Sequence, residues 1–202
     1  MTESEIDVLL ARAAAGDARA PGELLEGHRT RLRSMVAVRL DPRLAARLDP
    51  SDLVQDALLD AHRQLSQYLE HRPLPFYPWL RQVTWQRLVL AHRQHLRVAA
   101  RSAAREVAGD WALSDASVDH LAERFVASGT NPPSRAIRSE LRGRVREALT
   151  ELSPQDRDVL VLRFLEQLST SETAAVLGAS DSAVKMRQLR ALARLREVLD
   201  HE

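Results

Sequence analysis

Apolar residues return at helical spacing along most of the chain. Leucine, valine and alanine recur every three or four positions, which is typical of helices that bury one face. In the first half this spacing predicts helices over 6–15, 21–40, 51–70 and 76–105. In the second half it predicts helices over 134–151, 154–166, 169–177 and 181–199. Because no alternating pattern indicates strands, the predicted fold class is all-α, with two helical domains and a flexible linker.

Small polar residues mark several of the predicted helix starts. Ser51 is placed to cap the third helix, with Asp52 at the positive end of the helix dipole. Ser153 precedes a proline at the first helical position. Ser169 and Glu172 have the spacing of a capping box. These signals support the helical boundaries that the apolar spacing predicts.

The segment 107–133 lacks the helical pattern and is predicted to be an acidic linker. It contains Gly109, Gly129 and the helix-breaking sequence Asn131-Pro132-Pro133. We expect about one helical turn within it, around 118–125. The predicted domains are therefore 1–106 and 134–202.

The net charge of +1 conceals an uneven distribution. Residues 71–105 contain no Asp or Glu and seven arginines, and a second basic zone contains Lys185 with several arginines. Acidic residues of the linker separate the two zones. Two basic zones indicate two contacts with a polyanion such as nucleic acid.

Several classes of function are disfavoured by what the chain lacks. It has no cysteine, which excludes disulfides, thiolate zinc sites and cysteine nucleophiles. There is no phosphate-binding glycine loop or nucleophile motif, so an enzyme is the least favoured class, and no cofactor is expected. His92 and His95 are three residues apart, but no carboxylate lies nearby, so no metal site is expected. The absence of a signal peptide and of a long apolar run predicts a cytoplasmic protein without a membrane contact.

Residues 169–196 have the features of a helix-turn-helix. A short helix ends at Gly178, a tight turn follows, and Ala175 and Val184 are suited to the contact between the two helices. In this motif the second helix enters the major groove with its first residues against the bases. We expect an apolar buried face and place Arg187, Arg190 and Arg194 on the opposite face. The residues expected on the buried face are Val184, Ala191, Leu192, Leu195 and Leu199. The alternative is a solvated basic face on an ordinary helical hairpin.

The basic segment of the first domain also carries a cluster of aromatic residues. Phe76, Tyr77, Trp79 and Trp85 lie close together in a chain that has 4% aromatic residues. Such rings beside arginines suit single-stranded bases, which stack on the rings while arginine holds phosphate. The alternative is that Phe76, Trp79 and Val83 are core residues, since their spacing is helical.

Three segments together resemble the extracytoplasmic-function (ECF) group of the sigma-70 family. Residues 52–61, Asp-Leu-Val-Gln-Asp-Ala-Leu-Leu-Asp-Ala, are similar to the family's Asp-Leu-Val-Gln-Glu segment. Residues 76–80, Phe-Tyr-Pro-Trp-Leu, are similar to its Phe-x-x-Trp-Leu segment. The sequence Leu149-x-x-Leu152-Ser153-Pro154 and the helix-turn-helix follow in the family's order. Departures include Gln86, where many relatives have Asn, and Leu189, where an aromatic residue is frequent.

This resemblance implies a transcription initiation factor with core RNA polymerase and promoter DNA as partners. The polymerase contacts would be the clamp helices of the largest subunit and the flap, and an anti-sigma factor is a further implied partner. The first domain would bind polymerase through Asp52, Leu53, Gln55, Asp56 and Leu59. It would bind the opened non-template strand of the minus-ten element through Phe76, Trp79, Gln86, Arg87, Arg93, His95 and Arg97. The second domain would bind the duplex minus-thirty-five element through Ser182, Lys185, Met186, Arg187, Arg190 and Arg194.

Two other functions remain open from the residues alone. A free-standing helix-turn-helix regulator explains the second half but leaves the segments at Asp52 and Trp79 without a role. A helical adaptor or an anti-sigma-like protein does not explain the two basic zones. Binding to core polymerase distinguishes a sigma factor from both.

Overall fold

The computed structural model describes residues 1–40, 48–96, 115–127 and 135–200, and within these ranges every regular element is helical. The chain forms two compact units, Met1–Ala108 and Gly109–Glu202. The first contains α1 (Glu3–Ala14), α2 (Ala20–Glu26), α3 (Arg29–Arg39), α4 (Pro50–His71) and α5 (Phe76–Leu96). The second contains α6 (Asp115–Ala127), α7 (Arg135–Glu151), α8 (Pro154–Leu160), a π-helical turn (Val161–Leu165), α9 (Thr170–Leu177) and α10 (Asp181–Asp200). The all-α prediction is thus confirmed.

Two predicted boundaries in the first unit were wrong. The single helix expected over 21–40 is divided into α2 and α3 at Gly27 and His28. The break puts the His28 ring into the core, where it lies 5.5 Å from Phe76 and 5.3 Å from Tyr77. The cap of α4 is Asp49 rather than Ser51, since the Asp49 carboxylate accepts a hydrogen bond from the Ser51 backbone N–H at 2.7 Å.

The core of the first unit lies between α4 and the helices around it. One face of α4 is buried over its whole length, from Leu53 to Tyr68. From α5 the buried set includes Tyr77, Leu80 and Leu88. Arg81, one of the arginines of the first basic zone, is also fully buried. This side chain therefore adds nothing to a nucleic-acid surface. Residues 97–105 of the predicted fourth helix lie outside the described residues.

The second unit contains more ordered structure than the sequence predicts. Within the predicted linker, α6 is a full helix that packs against α7 and buries Val118, Leu121, Ala122 and Val126. Two of its acidic side chains face arginines of α7: Asp119 lies 3.1 Å from Arg146, and Glu123 lies 3.9 Å from Arg142. The expectation of a single helical turn was wrong, because the apolar residues of α6 have a partner surface in the same unit.

Candidate nucleic-acid and polymerase surfaces

The helix-turn-helix of the second unit is built from α9 and α10. The predicted capping box is confirmed: Ser169 Oγ accepts from the Glu172 N–H at 3.1 Å, and the Glu172 carboxylate accepts from the Ser169 N–H at 2.7 Å. The helix ends at Gly178, whose φ of 59° is in the left-handed region that favours glycine. The chain can therefore reverse within a few residues and start α10 at Asp181.

A small apolar core fixes α10 in this motif. Val184 is fully buried against Val159 of α8 and Ala174 of α9. Farther along the helix, Ala191 and Leu195 are buried on the same side, as the helical spacing predicted. On the flank, Arg163 Nε donates a hydrogen bond to Gln188 Oε1 at 3.2 Å. One face of α10 is thus packed against the rest of the unit.

The outward face of α10 differs from the predicted one. In the first half of the helix, the exposed residues farthest from the buried face are Ser182, Lys185, Met186 and Leu189, while Arg190 and Arg194 are exposed on one flank. Placing the arginines directly opposite the buried face was wrong, because at 100° per residue Arg187, Arg190 and Arg194 lie on the flank. Leu189 was not among the predicted site residues, and its helical spacing from Ser182 was the available signal.

Two of the predicted DNA-contacting arginines are paired within their own unit. Arg190 lies 3.5 Å from Asp156, and Arg194 lies 2.9 Å from Glu151. The hydrogen bond with Glu151 raises the pKa of Arg194 above its ordinary value. Lys185 and Arg187 form no ion pair with a carboxylate in the described part of the chain. The cations that remain open to a phosphate are therefore those near the start of α10.

In the first unit, α4 presents an exposed stripe on the side away from the core. Its exposed members are Asp52, Gln55 and Leu59, and the half-buried Asp56 lies on the same face of the helix. Leu59 is 48% exposed, whereas most of the described leucines of this unit are buried. Leu53, also predicted as a polymerase contact, is only 6% exposed and belongs to the core.

The outer face of α5 carries part of the predicted single-strand site. Gln86 and Arg93 are exposed on the same face, and Gln82, which was not predicted, lies one turn before Gln86. The side chain of His95 and all of Arg97 lie outside the described residues.

The aromatic cluster of α5 lies in the core. Phe76 is 3% exposed and Trp79 is 8% exposed. The Trp79 ring stacks on Tyr68 with ring centroids 4.4 Å apart, and the Tyr68 hydroxyl donates to the Leu74 carbonyl at 3.0 Å. The structure therefore agrees with the core interpretation of Phe76 and Trp79. Both rings pack on Tyr68, whose hydroxyl is bonded to the loop between α4 and α5.

One predicted DNA contact joins the two candidate surfaces of the first unit. Arg87 of α5 lies 2.7 Å from Asp56 and 3.5 Å from Asp60, both on α4. The hydrogen bond with Asp56 raises the pKa of the Arg87 guanidinium above its ordinary value. The structure thus brings together two residues that the sequence analysis had assigned to different ligands.

Comparison with known proteins identifies the family. A family model described as sigma-70, region 4, matches residues 148–197, which include the helix-turn-helix. The chain is 30% identical over 197 residues to the ECF RNA polymerase sigma factor SigD of Mycobacterium tuberculosis, covering 98% of this chain and 85% of that protein. The chain belongs to the ECF group of the sigma-70 family.

A second relative agrees with this family assignment. The chain is 31% identical over 194 residues to the RNA polymerase sigma factor CnrH of Cupriavidus metallidurans, covering 96% of this chain and 93% of that protein. A solved structure of CnrH in complex with the cytosolic domain of CnrY superposes with a TM-score of 0.50 and 27% identity, over 96% of this chain and 97% of that one.

As an ECF sigma factor, the protein directs RNA polymerase to promoters, its region 4 binds DNA, and it is not an enzyme. In the described residues of the sigma factor, no group of three His, Asp or Glu side chains is placed to hold a metal ion. No helix in the same ranges is long and apolar enough to cross a membrane.

Proposed function

We propose that the two units divide promoter binding between them. Domain two, residues 1–106, binds core polymerase through α4 and the opened minus-ten strand through α5. Domain four, residues 134–202, binds the duplex minus-thirty-five element through α10. Residues 107–133 lie between these two predicted ranges and include α6, which packs on α7 of the second unit. The factor acts in the cytoplasm. The observation that supports this division most directly is that α4, α5 and α10 each bury one face and expose another with polar or charged groups.

The exposed stripe of α4 is the proposed polymerase surface. Asp52, Gln55, Asp56 and Leu59 combine acidic groups with one exposed apolar side chain. Polar groups around an apolar residue are typical of the centre and rim of a protein interface. Gln55 is already oriented in the free chain, since Arg29 Nη2 donates to its Oε1 at 2.6 Å.

Reversing one charge of this stripe is expected to release polymerase. Asp52→Arg should weaken binding to purified bacterial core polymerase at least tenfold, which corresponds to about 1.4 kcal/mol. The measurement is size-exclusion co-elution at moderate salt, followed by titration of a fluorescently labelled factor. Glu70→Arg is the matched control, because it makes the same change at the other end of α4, where the side chain is also exposed. Equal losses for the two variants would contradict a specific contact at Asp52.

On α5, the proposed strand-binding surface comprises Gln82, Gln86 and Arg93. These exposed side chains can donate hydrogen bonds to unpaired bases and to phosphate. Phe76 and Trp79 are left out because they are core residues. Arg87 is assigned mainly to the contact with α4, given its distance of 2.7 Å from Asp56. His95 and Arg97 stay predictions from the sequence.

The proposed upstream surface on α10 comprises Ser182, Lys185, Met186 and Arg187. Arg190 and Arg194 instead hold the helix on its own domain.

Lys185→Ala should reduce the salt dependence of promoter binding, because each neutralised phosphate contributes a slope of about 0.9 in log K against log salt. Arg194→Ala is the control, since Arg194 is already paired with Glu151 at 2.9 Å. Holoenzyme binding to a promoter fragment is measured over a series of salt concentrations. A larger change of slope for Arg194→Ala than for Lys185→Ala would contradict the proposal that Lys185, and not Arg194, contacts phosphate.

An anti-sigma factor is proposed as a further partner. CnrH, which resembles this chain over nearly its whole length, was solved with the cytosolic domain of CnrY. The exposed stripe on α4 is the surface on which such a partner would compete with polymerase.

A further inference from the structure

The outward face of α10 carries two large apolar side chains that the fold leaves in solvent. Met186 is 57% exposed and Leu189 is 62% exposed. They are three residues apart, so their side chains are neighbours on the helix surface. The buried face of α10 uses other residues, among them Val184 and Ala191, so the core does not require an apolar residue at either position.

The surroundings of this pair suit DNA. Ser182, Met186 and Leu189 follow one another down the middle of the outward face, at helical spacing. At 100° per residue the exposed Lys185 borders this line on one side, and the half-buried Arg187 lies farther round the helix on the other side. An apolar line between two cations matches a major groove, which has base edges at its floor and phosphates at both walls.

The apolar group on the floor of the major groove is the C5-methyl of thymine. We propose that Met186 and Leu189 contact thymine methyl groups and thereby give this sigma factor a thymine preference in its upstream element. The proposal rests on the proposed function, in which α10 enters that groove. Two residues three apart are separated by about 4.5 Å along a helix, close to the roughly 3.4 Å rise of one base-pair step. The thymines therefore belong to neighbouring base pairs, on either strand.

The test starts by letting the reconstituted holoenzyme select promoters from a library of random duplex DNA. The expected upstream motif contains thymine at two neighbouring positions, and Leu189→Ala and Met186→Ala each lose the preference at one of them. Each thymine is then replaced by deoxyuridine, which removes only the methyl group. For the wild-type holoenzyme, each replacement should weaken binding about three- to fivefold, the factor expected for uncovering one methyl-sized apolar group.

The variants decide whether the two side chains cause this loss. At the DNA position whose thymine preference it loses, each alanine variant should bind thymine and deoxyuridine equally well. Val8→Ala is the matched control, because Val8 is an apolar residue of α1 that is 57% exposed and lies outside the proposed polymerase and DNA surfaces, and this variant should keep the full deoxyuridine penalty. Unchanged far-UV circular dichroism will establish that the variants are folded.

The other outcomes separate this proposal from the proposed function. A deoxyuridine penalty that is the same in wild-type and both α10 variants overturns the thymine contact. Alanine variants that select the same motif but lose core polymerase would show that the pair contacts a protein, which also overturns it. A holoenzyme that selects no upstream motif at all would instead refute the role proposed for α10 itself.

Discussion

Trp79→Ala is expected to lower the free energy of unfolding of the first unit by about 3–5 kcal/mol, the usual cost of removing a large aromatic side chain from a core. Trp79 is 8% exposed and stacks on Tyr68 with ring centroids 4.4 Å apart. Its loss would leave a cavity beside Phe76, whose ring centroid lies 5.6 Å away. The measurement is urea denaturation of the full chain, followed by far-UV circular dichroism so that the lost fluorophore does not affect the signal.

Gln82→Ala is the control for this prediction, since Gln82 is exposed on the same helix. Exposed substitutions usually change stability by no more than about 0.5 kcal/mol. The two units can unfold in separate transitions, and only the transition of the first should move. A Trp79→Ala protein with wild-type stability and defective promoter opening would favour the stacking of this ring on DNA over the core role.

Val184→Asp is expected to unfold the helix-turn-helix. Val184 is fully buried against Val159 and Ala174, so the new carboxylate would have no water and no cation beside it. The penalty for burying such a group exceeds about 3 kcal/mol, a large part of the stability of a small domain. We expect lower helix content, a lost thermal transition for the second unit and no binding to the upstream element.

Leu189→Asp is the matched control, with the same acid in the same helix at a position that is 62% exposed. This variant should weaken DNA binding but keep the wild-type thermal transitions. Both variants should retain polymerase binding through α4 in the co-elution experiment. Equal stability of the two variants would contradict the packing described for Val184.

Local signals were the most reliable guide from sequence to fold. The capping box at Ser169 and Glu172 and the turn at Gly178 involve residues within one turn of each other, so their spacing alone predicts them. The break at His28 depends on rings from α5, far along the chain, and the apolar spacing continues through it. The packing of α6 against α7 escaped prediction for the same reason, because it depends on another helix.

In the candidate surfaces, too, groupings within one helix could be predicted from the sequence, whereas contacts between distant parts of the chain could not. The family resemblance grouped Asp52, Gln55 and Leu59, and in the structure these three residues lie on one exposed face of α4. Arginine counts, in contrast, carry no information about pairing. Arg194 is held by Glu151, 43 residues earlier in the chain, and Arg87 is held by Asp56, 31 residues earlier. Only the folded chain distinguishes an arginine that is open to phosphate from one that already has a carboxylate.

The contact between Arg87 and Asp56 would link the two ligands proposed for the first unit, core polymerase and the open promoter strand. Asp56 belongs to the proposed polymerase stripe, and Arg87 lies on the helix proposed to hold the open strand, with 2.7 Å between their charged atoms. A ligand that binds the Asp56 carboxylate in place of Arg87 would leave the Arg87 guanidinium with one carboxylate partner, Asp60, at 3.5 Å. Linked binding equilibria are reciprocal. If bound polymerase changes the affinity for the strand by some factor, the bound strand changes the affinity for polymerase by the same factor. A substitution at Asp56 is therefore expected to change both the affinity for core polymerase and the affinity for the open strand.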